Sequence, residues 1–123
     1  EIDVAFEELI RAKSDAFITA TDPILLDRRE QIVSFAARNA LPAVYFVRQF
    51  AAAGGLLSYG PSITWMYHQA GEYVGQILTG AKPAEMPVMQ PTHFELVLNL
   101  NTAKALDLSI PVTLQVAADE VIE

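Results

Sequence analysis

The sequence predicts an α/β domain built on a mainly parallel sheet, and three repeated observations carry that reading. Apolar runs at Ala16–Ala20, Ala43–Val47 and Gly55–Leu57 each stop on a small polar cluster: Thr21-Asp22-Pro23, Arg48-Gln49 and Ser58-Tyr59-Gly60. Between the runs lie stretches with helical spacing, the alternation expected of parallel strands joined by crossover helices. The Ala43-Val44-Tyr45-Phe46-Val47 run lacks polar alternation altogether, which is how a strand covered on both faces reads. In such sheets ligands collect at the carboxyl ends of the strands, so the three polar clusters are where function is sought.

The elements follow in order. Phe6, Leu9, Ile10 and Lys13 recur at helical spacing within Glu1–Lys13, and Ser14-Asp15 break the pattern before the first strand. Asp27 with Glu30 three residues on has capping-box spacing and opens a second helix, whose inner face is Ile32, Val33, Ala36 and Ala40. After the second strand, a short helix over Gln49–Ala53 closes on Gly54-Gly55, and Leu56–Tyr59 makes a third strand. Ile63, Met66, Tyr67, Ala70, Tyr73, Val74, Ile77 and Leu78 then form one continuous helical stripe ended by Gly80 and Lys82-Pro83. An extended connector over Ala84–Pro91 leads to a strand at Phe94–Leu100, a short helix at Thr102–Leu106, and a last strand or extended arm at Val112–Val116.

Composition narrows the function classes. With 123 residues, 52% hydrophobic and 19% charged, the chain is expected to fold as one domain around a single core. Its net charge of −7 and scattered basic residues repel a phosphate backbone, which argues against a nucleic-acid partner. Every apolar stretch is interrupted well short of the ~20 residues a membrane span needs. Cysteine is absent, so disulfides and thiolate chemistry are excluded. The first residue is Glu1 rather than Met, and we expect an excised or processed chain.

Each candidate residue carries two readings. Thr21 and Asp22 either bind a ligand hydroxyl or amine, or Asp22 caps the next segment. Arg48 offers a planar, multidentate grip for a carboxylate, beside Gln49 and opposite Ser58-Tyr59; the alternative is a surface Arg paired with a nearby acid. Tyr59 either stacks on a flat ligand or plugs the core edge. Gly55–Gly60 fails as a nucleophile elbow because the glycine stands three residues before Ser58 rather than two. His68 and His93 lie far apart in the chain, and no metal or cofactor is expected. Glu7-Glu8 and Asp119-Glu120 read as solvated pairs, no glycine-rich phosphate loop is present, and Trp65 sits off the apolar stripe, either exposed or facing another protein.

Three phrases carry a resemblance: Ala51-Ala52-Ala53-Gly54-Gly55-Leu56-Leu57-Ser58-Tyr59-Gly60, Ile77-Leu78-Thr79-Gly80-Ala81-Lys82-Pro83-Ala84, and Phe94 through Leu106. In order and spacing, the chain resembles the carboxyl-terminal half of ABC-transporter substrate-binding proteins of the tryptophan/tyrosine-uptake kind. The resemblance implies a three-layer α-β-α lobe of a type I periplasmic binding fold, residues 1–123 being a single domain whose helix over 61–80 faces the missing lobe. It implies a ligand cleft lined by Thr21, Asp22, Arg48, Gln49, Ser58 and Tyr59, no catalysis, a small ligand such as an amino acid or aromatic acid, an ABC permease as partner, and an extracytoplasmic location. One departure is Pro23, where relatives that bind aromatic amino acids often have Asn. An apolar stripe left without its lobe leads us to expect a dimer or domain swap of the isolated chain. The alternatives are a ligand-sensing regulatory domain, or an enzyme on a doubly wound sheet using Asp22 as acid or base.

Overall fold

In a computed structural model, which describes residues 2–123, five strands form one sheet in the order β1-β2-β3-β4-β5. The strands are β1 (Phe17–Ile18), β2 (Ala43–Tyr45), β3 (Leu57–Pro61), β4 (Phe94–Asn99) and β5 (Glu120–Ile122). β1, β2 and β3 run parallel, β4 lies antiparallel to β3, and β5 is again parallel to β4. Helices cover both sides of the sheet, as the sequence predicts.

Among the described residues there are seven α-helices, the first ahead of β1 and the other six between strands: α1 (Ile2–Arg11), α2 (Pro23–Asp27), α3 (Arg29–Arg38), α4 (Arg48–Ala52), α5 (Ile63–Leu78), α6 (Leu100–Ala105) and α7 (Val112–Ala117). Register puts Tyr45 beside Ser58, and Ser58 beside Val97, so these side chains share one sheet face. The core grows on that face from aromatic rings. Phe6 of α1 stacks on Phe35 of α3 with centroids 3.8 Å apart, and Tyr45 stacks on Phe50 of α4 at 4.7 Å. Burial of Tyr45 pushes its phenol pKa up to about 12, because the phenolate would lose its hydration.

Two glycines make this packing possible. A Cβ on Gly55 would lie 2.5 Å from a Tyr45 ring carbon, and one on Gly60 would lie 1.8 Å from the Phe46 carbonyl oxygen. β3 can therefore approach the end of β2 only with glycine at position 60. Gly54 and Gly80 end α4 and α5 with φ of 102° and 110°, the left-handed region that glycine enters freely.

Several expectations are corrected. Asp27 closes α2 rather than capping α3, whose N-cap Arg28 makes no side-chain cap bond; Asp22 and Pro23 instead start α2. Val112–Val116 is helical and not a strand, because Pro111 starts the turn and Gln115 Nε2 donates back to Ile110 O at 2.8 Å. The last strand is the three-residue β5. Trp65 is half-buried, stacked on the His93 ring at 4.7 Å, and not a lone exposed aromatic.

α5 behaves unlike the other long helices. It is well capped by Ser62, whose Oγ accepts from Trp65 N–H, yet none of its residues is buried. Tyr67, Val74 and Leu78 of its apolar stripe are 77%, 55% and 82% exposed.

Candidate functional site

Because β1, β2 and β3 are parallel neighbours, the segments that leave them emerge along one edge of the sheet. Thr21 and Asp22 follow β1, Arg48 and Gln49 follow β2 at the start of α4, and Tyr59 lies near the end of β3. The turn after β1 is fixed by Pro23, which has no N–H to donate, and by Asp22 Oδ1, which accepts from Ile24 N–H at 2.7 Å. That carboxylate is a helix cap. Thr21 is exposed beside it.

Arg48 is held by a side chain 72 residues away. Its Nε and Nη2 donate to the two carboxylate oxygens of Glu120 at 2.6 and 2.7 Å, a bidentate pair joining the start of α4 to β5. The contact raises the guanidinium pKa above its ordinary value and holds the Glu120 carboxyl below the usual range, in both cases chiefly through this hydrogen bonding. The two side chains are 48% and 37% exposed, so water screens the pair and its contribution to stability is small.

Around Arg48 the surface opens twice. A hollow of about 300 Å³ is lined by Arg48, Ser62, His93, Phe94, Glu95, Asp119 and Glu120. A second, of about 480 Å³, lies on the α2–α3 side against Leu26, Arg29, Glu30, Arg48 and Gln49. Tyr59 is 58% exposed and stacks on Phe94 with centroids 5.8 Å apart, which makes an open aromatic surface beside the first hollow.

Ser58 differs from its neighbours. It is 0% exposed, level with Tyr45 beneath α4, and its Oγ has no hydrogen-bond partner among the described residues. Gln49 Oε1 and Thr19 Oγ1 are likewise buried without partners among those residues. The structure thus gathers Thr21, Asp22, Arg48, Gln49 and Tyr59 along one edge and seals Ser58 inside.

The edge also recruits residues that sequence reasoning passed over. Asp119 and Glu120, read as a solvated pair, are both engaged: Leu96 N–H donates to Asp119 Oδ2 at 2.8 Å, and Glu120 holds Arg48. Phe94 and Glu95 enter through the antiparallel pairing of β4 with β3, which sets Pro61 opposite Phe94 and Gly60 opposite Glu95. A signal existed for β4, in its apolar run, but none pointed to its antiparallel direction. Among the described residues no group of three or more His, Asp or Glu side chains could hold a metal ion, and no helix is long and apolar enough to cross a membrane.

An open sheet with helices on both sides and polar residues collected at its carboxyl edge is an architecture that domains of the periplasmic binding protein kind share with other doubly wound folds. Comparison with known proteins makes the assignment specific. Residues 1–122 match the model of the ABC transporter substrate binding protein family, and the chain belongs to that family. It is 25% identical over 108 residues to a tyrosine-binding protein of Clostridioides difficile, covering 88% of this chain and 31% of that protein. Among solved structures it is similar to an ABC domain in complex with L-Trp from Streptococcus pneumonia, at TM-score 0.85 and 26% identity over 93% of this chain and 39% of that one. A conserved domain protein of Vibrio cholerae shares the fold at TM-score 0.87 and 23% identity, over 96% and 40% of the two chains. The chain thus spans about a third of the curated relative and about two fifths of the solved chains.

Proposed function

We propose that the chain is the second lobe of a two-lobed solute receptor for an ABC importer, capturing a small carboxylate-bearing ligand, an amino acid or aromatic acid, without chemistry. The observation that supports this reading is the parallel order of β1, β2 and β3, which sends the segments carrying Thr21, Asp22, Arg48, Gln49 and Tyr59 out along one sheet edge, in a chain that also holds an apolar helix with no buried residue. Arg48 grips the ligand carboxylate, Tyr59 with Phe94 flanks its ring or apolar part, and Thr21 takes a hydroxyl or amine. The open face of α5 belongs against the first lobe, so no second copy is needed to cover it. Closure of the lobes traps the ligand and presents the closed form to a membrane permease, outside the cytoplasm.

The tyrosine-binding relative and the L-Trp complex support an aromatic amino acid as the ligand to try first. An enzyme reading is disfavoured by Asp22, whose carboxylate is committed to capping α2 rather than poised as acid or base. The test is a thermal-shift screen of the complete two-lobed protein against amino acids, aromatic acids and sugars. We expect stabilisation by a carboxylate-bearing member of the first two groups. A protein stabilised only by sugars would overturn the reading.

A further inference from the structure

We propose that Glu120 is the positioning residue of the ligand site: it holds Arg48 by the Nε–Nη2 side of the guanidinium and leaves the Nη1–Nη2 end presented to the ligand carboxylate. This rests on the proposed reading of Arg48 as the carboxylate grip and adds to it a residue that does not itself touch the ligand.

The argument starts from the shape of arginine. A guanidinium has two edges able to make parallel hydrogen bonds to a carboxylate: the side edge, formed by Nε and Nη2, and the end, formed by Nη1 and Nη2. Glu120 takes the side edge, since its two oxygens accept from Nε and Nη2. Among the described residues Nη1 donates to no partner, so the end edge is free. Arg48 lines both open hollows of the rim, so the residue borders open surface on two sides. Its backbone is fixed as the first residue of α4, and the pair fixes its tip by reaching across to β5. A long side chain that would otherwise sample many rotamers is thus already ordered before ligand arrives, which reduces the entropy lost on binding.

Charge makes the assignment testable. Glu120 neutralises Arg48, and Glu95 adds a second negative charge within electrostatic reach of it. If charge alone governed affinity, removing the Glu120 charge would leave a bare cation and strengthen carboxylate binding. If orientation governs it, the same change weakens binding, because the amide that Glu120→Gln introduces can accept one of the two bonds while its NH₂ group repels the other donor. The two accounts differ in sign.

The experiment is isothermal titration of the full-length receptor, wild type, Glu120→Gln, Arg48→Ala and the double variant, with L-tyrosine, L-tryptophan and their carboxamides as probes. The expected result is that Glu120→Gln binds the amino acids roughly 5–20-fold more weakly, the scale of one charge-assisted hydrogen bond weakened. The carboxamides shift less than about twofold, and Glu120→Gln adds nothing in the Arg48→Ala background, as required of a residue acting through Arg48. A structural role alone would weaken acid and amide equally. Unchanged or tighter amino-acid binding by Glu120→Gln, with Arg48→Ala still weakened, overturns the positioning role and leaves the grip intact. Unchanged binding by Arg48→Ala, or wild type that binds neither amino acid, overturns both.

Discussion

Gly60→Ala tests how tightly the candidate rim is built. The added Cβ would lie 1.8 Å from the Phe46 carbonyl oxygen and 2.8 Å from its carbonyl carbon, where contacts under 3.0 Å essentially never occur. Both are backbone atoms, so no side chain can swing aside; β3 and the end of β2 must part by about 1.2 Å, the difference between 3.0 and 1.8. Forcing extra volume into a packed site costs about 1–3 kcal/mol, and a clash with backbone belongs at the upper end, about 3 kcal/mol. With an unfolding entropy of about 2.1 cal/mol/K per residue, 123 residues lose roughly 4 °C of midpoint per kcal/mol, so calorimetry should find Tm lowered by about 12 °C. The same displacement shifts Tyr59 away from the turn that starts α4, and ligand affinity of the complete protein should fall with it. A midpoint within about 3 °C of the parent would refute the reasoning, since it would mean that the two strands do not approach as described.

Other substitutions probe separate features. Gly71→Ala, in the interior of α5 with open space around it, should raise stability by about 0.5–1 kcal/mol in urea titrations of this chain, and a loss would show that the α5 surface is packed. Ser58→Ala removes a fully buried hydroxyl with no partner among the described residues and should stabilise by about 1 kcal/mol; destabilisation of that size would reveal a bond the hydroxyl makes in solution. Glu120 has its carboxyl pKa lowered by Arg48, so its small contribution is present above the ordinary carboxylate range and is lost as pH falls through the lowered value. Carboxylate NMR should find Glu120 titrating below free glutamate in the parent and at a distinctly higher pH in Arg48→Ala, where only the burial that raises its pKa remains, and identical titrations would exclude the pair. Trp65 is the sole tryptophan, and His93→Ala should shift its emission to the red by removing the ring stacked on it; an unmoved emission maximum would exclude that contact.

Much of the fold was legible because its signals are local. The apolar runs of β1, β2 and β3, the glycine stops after α4 and α5, and the stripe of α5 each depend on residues within one or two turns of one another. The failures are also local in origin. Val112-Thr113-Leu114-Gln115-Val116 has the β-branched content of a strand, but its length and its place after Pro111 suit one helical turn and a half. Asp22 caps α2, for which Pro23 supplies the helical φ at the first position, and that helix takes in Asp27 as its last residue, leaving Arg28 as the N-cap of α3.

The site was less legible, because its decisive contacts are distant in sequence. That the polar clusters after β1 and β2 share an edge with Tyr59 follows from parallel strands and could be argued from the runs alone. That Arg48 meets Glu120 could not, since β5 is three residues long and its charged first residue gives no apolar signal. Ser58 marks the limit of reading by adjacency. It neighbours Tyr59 in the chain, yet strand alternation turns the two side chains to opposite faces, leaving one exposed and one sealed.

The most direct measurement is a crystal structure of the complete protein soaked or grown with L-tyrosine or L-tryptophan. The account predicts the ligand between two lobes, its carboxylate within hydrogen-bond distance of Arg48 Nη1 and its ring beside Tyr59 and Phe94. A ligand bound with its carboxylate on other residues, and Arg48 and Tyr59 out of contact, would contradict it.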